Sequence, residues 1–242
     1  MTPQTMMTRD RRTWDQPTRY ERWYTSSIGR AYGESIASVL QPWLSAIPKA
    51  QALDVGCGPG LAAEQLFPPD ARVYAVDCSE HMAYRAALRG RRRGRPHGVL
   101  AGSVDALPIV SIRFDVVLCA NCLEFVPDRA AALGQIARVL RPGGQALIAV
   151  LNRHSSWELT RRLRRPFARC AYYAGRFFTV AEVRRCVESA GLAVEELRTA
   201  VHFPPVSIPP LTALYGRWDR MALRRHARGG AVILCRARKR SP

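Results

Sequence analysis

The segment Leu53-Asp54-Val55-Gly56-Cys57-Gly58-Pro59-Gly60 constrains this chain more than any other. An apolar run from Gln51 to Val55 reads as a short strand and enters a turn with glycine at every second position. Glycine tolerates positive φ and lets backbone approach a ligand closely, so the turn predicts a nucleotide-type pocket. The order is G-x-G-x-G rather than the G-x-G-x-x-G of pyrophosphate loops, and Pro59 removes an N–H from it. A loop short of one donor suits an adenosyl group that bears no phosphate.

A second apolar run, Val73-Tyr74-Ala75-Val76, ends in Asp77, one βα unit after the glycines. An acidic residue about 20 positions beyond such a loop reaches ribose hydroxyls in doubly wound sheets, although an Asp at a strand end also serves as a turn or helix cap. Three more segments follow in order: Gly102 to Pro108, Phe114 to Asn121, and Val139 to Val150, the last holding a Pro142-Gly143-Gly144 helix stop and turn.

Together these five segments resemble the motifs of the class I S-adenosylmethionine-dependent methyltransferases, in particular the type acting on small molecules. The resemblance implies an α/β, Rossmann-like doubly wound sheet of seven strands with the last antiparallel, an N-terminal helical cap and C-terminal lid insertions. It implies S-adenosyl-L-methionine as cofactor, with Asp54, Gly56, Cys57, Gly58 and Gly60 in the first loop. Asp77, Cys78 and Met82 would hold ribose and pack on adenine. Asp105, between Val104 and Ala106, would face the adenine amino group, and Ala120 and Asn121 would lie beside the methionine part.

The chain has 242 residues, 48% of them hydrophobic, enough for one α/β domain with long decoration. Residues 14–242 are therefore expected to form one domain and residues 1–13 a disordered tail. No apolar run approaches the roughly 20 residues that span a bilayer, and the N-terminus lacks a secretory apolar stretch, so a cytoplasmic location is expected. Seven scattered cysteines include one C-x-x-C, Cys119 to Cys122, with no second pair or nearby His to complete a zinc site. Reduced, mostly buried thiols and no metal are expected, with Cys186 and Cys235 in core patterns.

Charge is uneven. Residues 1–150 hold 18 basic and 13 acidic groups, net +5, whereas residues 151–242 hold 19 and 6, net +13. A basic third suggests nucleic acid, an anionic membrane surface or an anionic substrate. Only Lys49 and Lys239 are lysines, so the arginine excess is also what compositional bias would give.

Residues 14–46 show helical recurrence with aromatics and resemble the segment that closes over the cofactor in similar enzymes. Tyr20 is the expected contact, core packing of Trp23 and Tyr24 being the competing reading. Past the fifth strand, Thr179 and Glu182 form a capping box for a helix to Ala190. Strands are expected at Leu192 to Ala200 and Gly230 to Ala237. The segments 151–178 and 202–228 would cover the strand ends and shape the acceptor pocket. Phe177, Phe178, Phe203, Leu211, Leu214, Tyr215 and Trp218 would line it, or else simply pack on the sheet.

Methyl transfer needs positioning, water exclusion and, for a protonated nucleophile, a base. His154 and His202 are the candidate bases, with Glu124 near the same edge. No N-P-P-[YF] motif occurs, which weakens an exocyclic-amine acceptor. A small, partly apolar acceptor is expected. The alternatives are an RNA methyltransferase using the arginine-rich third and a non-catalytic cofactor-binding protein.

Overall fold

The computed structural model describes residues 17–164 and 175–240. The tail expected at 1–13, and the part of segment 151–178 between residues 165 and 174, lie outside the described residues. Seven strands form one sheet: β1 (Gln51–Val55), β2 (Arg72–Asp77), β3 (Gly98–Ala101), β4 (Phe114–Ala120), β5 (Leu140–Leu151), β6 (Leu192–Ala200) and β7 (Val232–Lys239), in the order β3-β2-β1-β4-β5-β7-β6. β1 to β5 pair in parallel, and β7 runs antiparallel between β5 and β6. The expected seven-stranded, doubly wound architecture is present. β7 sits two residues later than expected, starting past Gly230, where an added Cβ would lie 2.3 Å from the Ala200 carbonyl oxygen.

β1 and β4 are buried on both faces, which is why they read as unbroken apolar runs rather than as alternation. Side chains at Val116 and Leu118 join one core and those at Val117 and Cys119 the other. The first core holds Leu40, Trp43 and Leu44 of α2 (Ser27–Ser45). The second holds Leu133 and Ile136 of α5 (Arg129–Val139) with Val183 and Val187 of α7 (Val180–Ser189). α3 (Leu61–Gln65) and α4 (Glu80–Arg93) connect the early strands, α6 (Ser156–Arg164) follows β5, and α8 (Pro209–Arg224) joins β6 to β7.

The expected cap at 14–46 splits in two. α1 (Pro17–Thr25) buries no residue and lies over the glycine loop, whereas α2 is a full core layer. Ser26 separates them, its hydroxyl accepting the Gly29 N–H at 3.1 Å as an N-cap. α7 begins with the expected capping box of Thr179 and Glu182.

Candidate cofactor and acceptor site

The strand order reverses between β1 and β4, so a crevice opens at their C-terminal ends. The glycine turn sits there, with φ of +67° at Gly56, +53° at Gly58 and +82° at Gly60. Gly56 and Cys57 donate to the Val76 carbonyl at 2.8 and 3.1 Å, which docks the turn on the end of β2. Asp77 fixes its tip, one carboxylate oxygen accepting the Gly58 N–H at 2.8 Å and the other the Ser79 N–H at 2.9 Å. The turn-cap reading of Asp77 is the one these bonds show, placed at the C-terminal end of β2 beside the glycine turn. Gly102 donates to the Asp77 carbonyl, bringing the short 3-10 turn Val104–Ala106 alongside, where the Ser103 hydroxyl donates to Asp105. Met82 and Val104 are buried at this end, while Cys78 and Ala106 are exposed.

An added Cβ at Gly56 would lie 2.4 Å from Cys122 Sγ, so this glycine is required by packing. At Gly58 the nearest atom is a Tyr20 ring carbon at 3.9 Å, an ordinary van der Waals contact, so α1 lies directly over the turn. Tyr20 packs on Tyr24, their ring centroids 4.9 Å apart and their hydroxyls 3.3 Å apart. Although Tyr20 is 38% exposed as a whole, desolvation of its phenol end raises its pKa well above its ordinary value, reinforced by Tyr24 and by the charge of Asp54. Trp23 makes edge contacts to Tyr24, Tyr32 and Trp157 but stays 37% exposed, so α1 packs on the core through Tyr24 while Tyr20 lies over the turn.

Asn121 closes the site at the end of β4, in a left-handed conformation with φ +51°. Its N–H donates to Ala149, and its side-chain oxygen accepts the Tyr32 hydroxyl at 3.1 Å. Tyr24, Tyr32 and Trp157 thus form a ring wall that sequence reading placed only in part. The i, i+4 spacing of Tyr20 and Tyr24 was the available signal.

Asp54 lies under the turn, 1% exposed, and its Oδ2 has no hydrogen-bond partner among the described residues. Burial, then the neighbouring Asp77 carboxylate, pushes its pKa up to about 8 against the Ala63 N–H. An orphaned buried acid beside a glycine cradle is what a cationic adenosyl amino acid needs as a counter-charge, so the residues present fit S-adenosylmethionine.

The two candidate histidines fare differently. His202 is clasped, its Nδ1 2.7 Å from Asp219 and its Nε2 3.0 Å from the Thr199 hydroxyl and 3.2 Å from the Ala227 carbonyl. With both ring nitrogens engaged and the side chain buried, it is built as a strut between β6 and α8 and not as a free base. His154 is exposed beyond β5, in a surface hollow of about 370 Å³ with Arg153, Ser155, Glu158, Arg162 and Gly229. Glu124 is buried beside this edge, one oxygen accepting the Leu151 N–H and the other without a partner among the described residues, and burial pushes its pKa up to about 7.

The expected apolar lining also divides. Phe177, Phe178, Phe203 and Tyr215 are core, with Phe203 stacked on Tyr215 at 4.4 Å and arginines over the other two rings. The packing reading holds for these four, since Phe177, Phe203 and Tyr215 belong to the first core and Phe178 to the second, and α8, which carries Tyr215, rests on α2 and β6. Cys119 and Cys235 are buried, Cys186 is half-buried, and the Cys122 thiol is hydrogen-bonded with Cys119.

A glycine cradle and acidic residues at the switch point of a seven-stranded sheet with an antiparallel β7 define a nucleoside-binding class I methyltransferase fold. The methyltransferase domain family model matches residues 53–148. A ubiquinone biosynthesis O-methyltransferase of Thiobacillus denitrificans is 32% identical over 183 residues, covering 73% of this chain and 79% of the relative. An uncharacterised Mycobacterium tuberculosis protein is 31% identical over 85% of this chain and 68% of its own length. A SAM-dependent methyltransferase structure from Thermotoga maritima superposes with TM-score 0.66 at 24% identity, covering 92% of this chain and 95% of that one. The chain belongs to the S-adenosylmethionine-dependent methyltransferases and is an enzyme of that class.

Proposed function

We propose that this enzyme methylates a hydroxyl oxygen on a flat, partly apolar small molecule. The observation that carries the reading is the aromatic cluster of Tyr20, Tyr24 and Tyr32, in which Tyr20 packs over the glycine turn and Tyr32 donates to Asn121. Aromatic faces with a few fixed polar groups suit a ring acceptor. The likeness to ubiquinone biosynthesis O-methyltransferases extends beyond the cofactor-binding segments and supports an oxygen acceptor.

Bound S-adenosylmethionine supplies an electrophilic sulfonium methyl. The protein's part is to hold and to shield. Asp77 fixes the turn, Asp54, held protonated by burial, can ionise beneath it to meet a cation, and Asn121 is held rigidly by Tyr32 and Ala149. The α1 tyrosines cover the turn and exclude water, and orienting an acceptor hydroxyl against the methyl then lowers the barrier through positioning.

Incubating the protein with methyl-labelled cofactor and separate sets of catechols, primary amines and transcribed RNA tests this. Label is expected in a catechol ether. Label confined to amines or to RNA would overturn the oxygen-acceptor reading.

A further inference from the structure

We infer that α8 is an interfacial helix that docks the enzyme on an anionic lipid surface. This is independent of which acceptor is methylated. The inner face of α8 is fully committed, Tyr215 stacking on Phe203 and Asp219 accepting from His202 and Ser35. Its outer face is exposed and apolar in part: Leu214 is 39%, Trp218 38% and Met221 50% exposed, and Ile208, which caps the helix, is 48% exposed. At 3.6 residues per turn Leu214, Arg217, Trp218, Met221, Arg224 and Arg225 fall within an arc of about 120°.

A run of arginines from the C-terminal third borders that same face. Arg161 and Arg162 are paired with Glu158, and Arg236 and Arg238 with Glu195. Among the described residues no ion pair engages Arg217, Arg220, Arg224, Arg225 or Arg228, the longest such group in the C-terminal third, although Arg164, Arg176 and Arg185 are also without one. A Trp, Leu and Met stripe bordered by arginines is the pattern of a helix lying in a headgroup plane, the rings and thioether entering the acyl boundary and the guanidiniums meeting lipid phosphate. A nucleic-acid track needs the arginines but leaves the Leu214 and Met221 stripe unexplained. Among the described residues no helix is long and apolar enough to cross a membrane, so the attachment is peripheral.

The test is co-sedimentation of the full chain with vesicles of phosphatidylcholine alone or mixed with phosphatidylglycerol, and filter retention of transcribed RNA. Two double variants are compared, Arg217→Glu with Arg224→Glu and Trp218→Ser with Met221→Ser. All four side chains are exposed, and unchanged thermal melting will show that both variants fold. Wild type is expected on the anionic vesicles only, with each double variant weakening retention at least about tenfold. The proposal is overturned if anionic vesicles fail to retain the wild type, or if the Trp218/Met221 variant binds them as wild type does. RNA retention lost equally in both variants, without vesicle binding, would assign the face to nucleic acid instead.

Discussion

Asp77 and Gly58 are joined by a 2.8 Å hydrogen bond in which the acid closing β2 accepts the amide N–H at the tip of the glycine turn. The acid expected to face the ligand is thus also the tether that shapes the loop. Asp77→Ala frees the turn and removes a charged acceptor, each such bond contributing about 1.5–3 kcal/mol. Cofactor affinity is expected to fall at least about tenfold by calorimetry. Affinity equal to wild type would remove Asp77 from the site.

Gly56 and Gly58 separate folding from binding. Alanine at Gly56 brings its Cβ to 2.4 Å from Cys122 Sγ at a φ of +67°. Overpacking costs about 1–3 kcal/mol and left-handed backbone about 1–2 more, so this variant is expected to melt far below wild type. At Gly58 the added Cβ meets nothing nearer than the Tyr20 ring at 3.9 Å. Gly58→Ala is expected to lose only about 1–2 kcal/mol of stability yet bind cofactor poorly. Matching melting curves for the two variants would contradict the assignment.

Much of this was legible beforehand because local chemistry and tertiary demand agree. Glycine spacing and the Thr179–Glu182 capping box act over a few residues, and the acid 23 residues after Asp54 is spaced by a single βα unit. What the sequence obscured depends on long-range contacts. Tyr215 and Trp218 share one helical pattern, but only the Phe203 ring decides that Tyr215 is core while Trp218 stays exposed. His202 read as a candidate base because nothing local reveals Asp219, 17 residues on, at its Nδ1. Asp54 looked like one more motif residue, and its missing partner is visible only once the strands surround it.

Asp54 and Glu124 set a pH dependence. Both folded-state values are raised, to about 8 and about 7, from ordinary values near 4. The folded protein then binds more protons than the unfolded chain between about pH 4 and 8, so unliganded stability falls as pH rises through that window. Melting temperature is expected to decline on the order of several degrees across it, and Asp54→Asn to flatten the upper part. A cationic ligand favours ionised Asp54, so cofactor affinity is expected to rise toward pH 8 with proton release. Calorimetry in two buffers of different ionisation enthalpy reads that proton directly, and identical heats would exclude it.

The His202–Asp219 pair distinguishes a strut from a catalyst. Burial alone would raise the Asp219 carboxyl, but hydrogen bonds from His202 and Ser35 outweigh it and hold it below the usual range. A depressed acid contributes stability above its unfolded value, near pH 4, and loses it as pH falls through the folded one. The same carboxylate also accepts the His202 N–H at 2.9 Å, and Ser35 passes the link to the Val201 N–H, so β6, α8 and α2 meet at this point. Asp219→Ala strands buried donors on two elements and is expected to cost about 3–5 kcal/mol. His202→Ala should lower the melting temperature as well, while the folded enzyme keeps kcat within a few-fold of wild type and its pH profile unshifted. A loss of kcat by orders of magnitude in His202→Ala at full thermal stability would instead make the histidine a catalytic base.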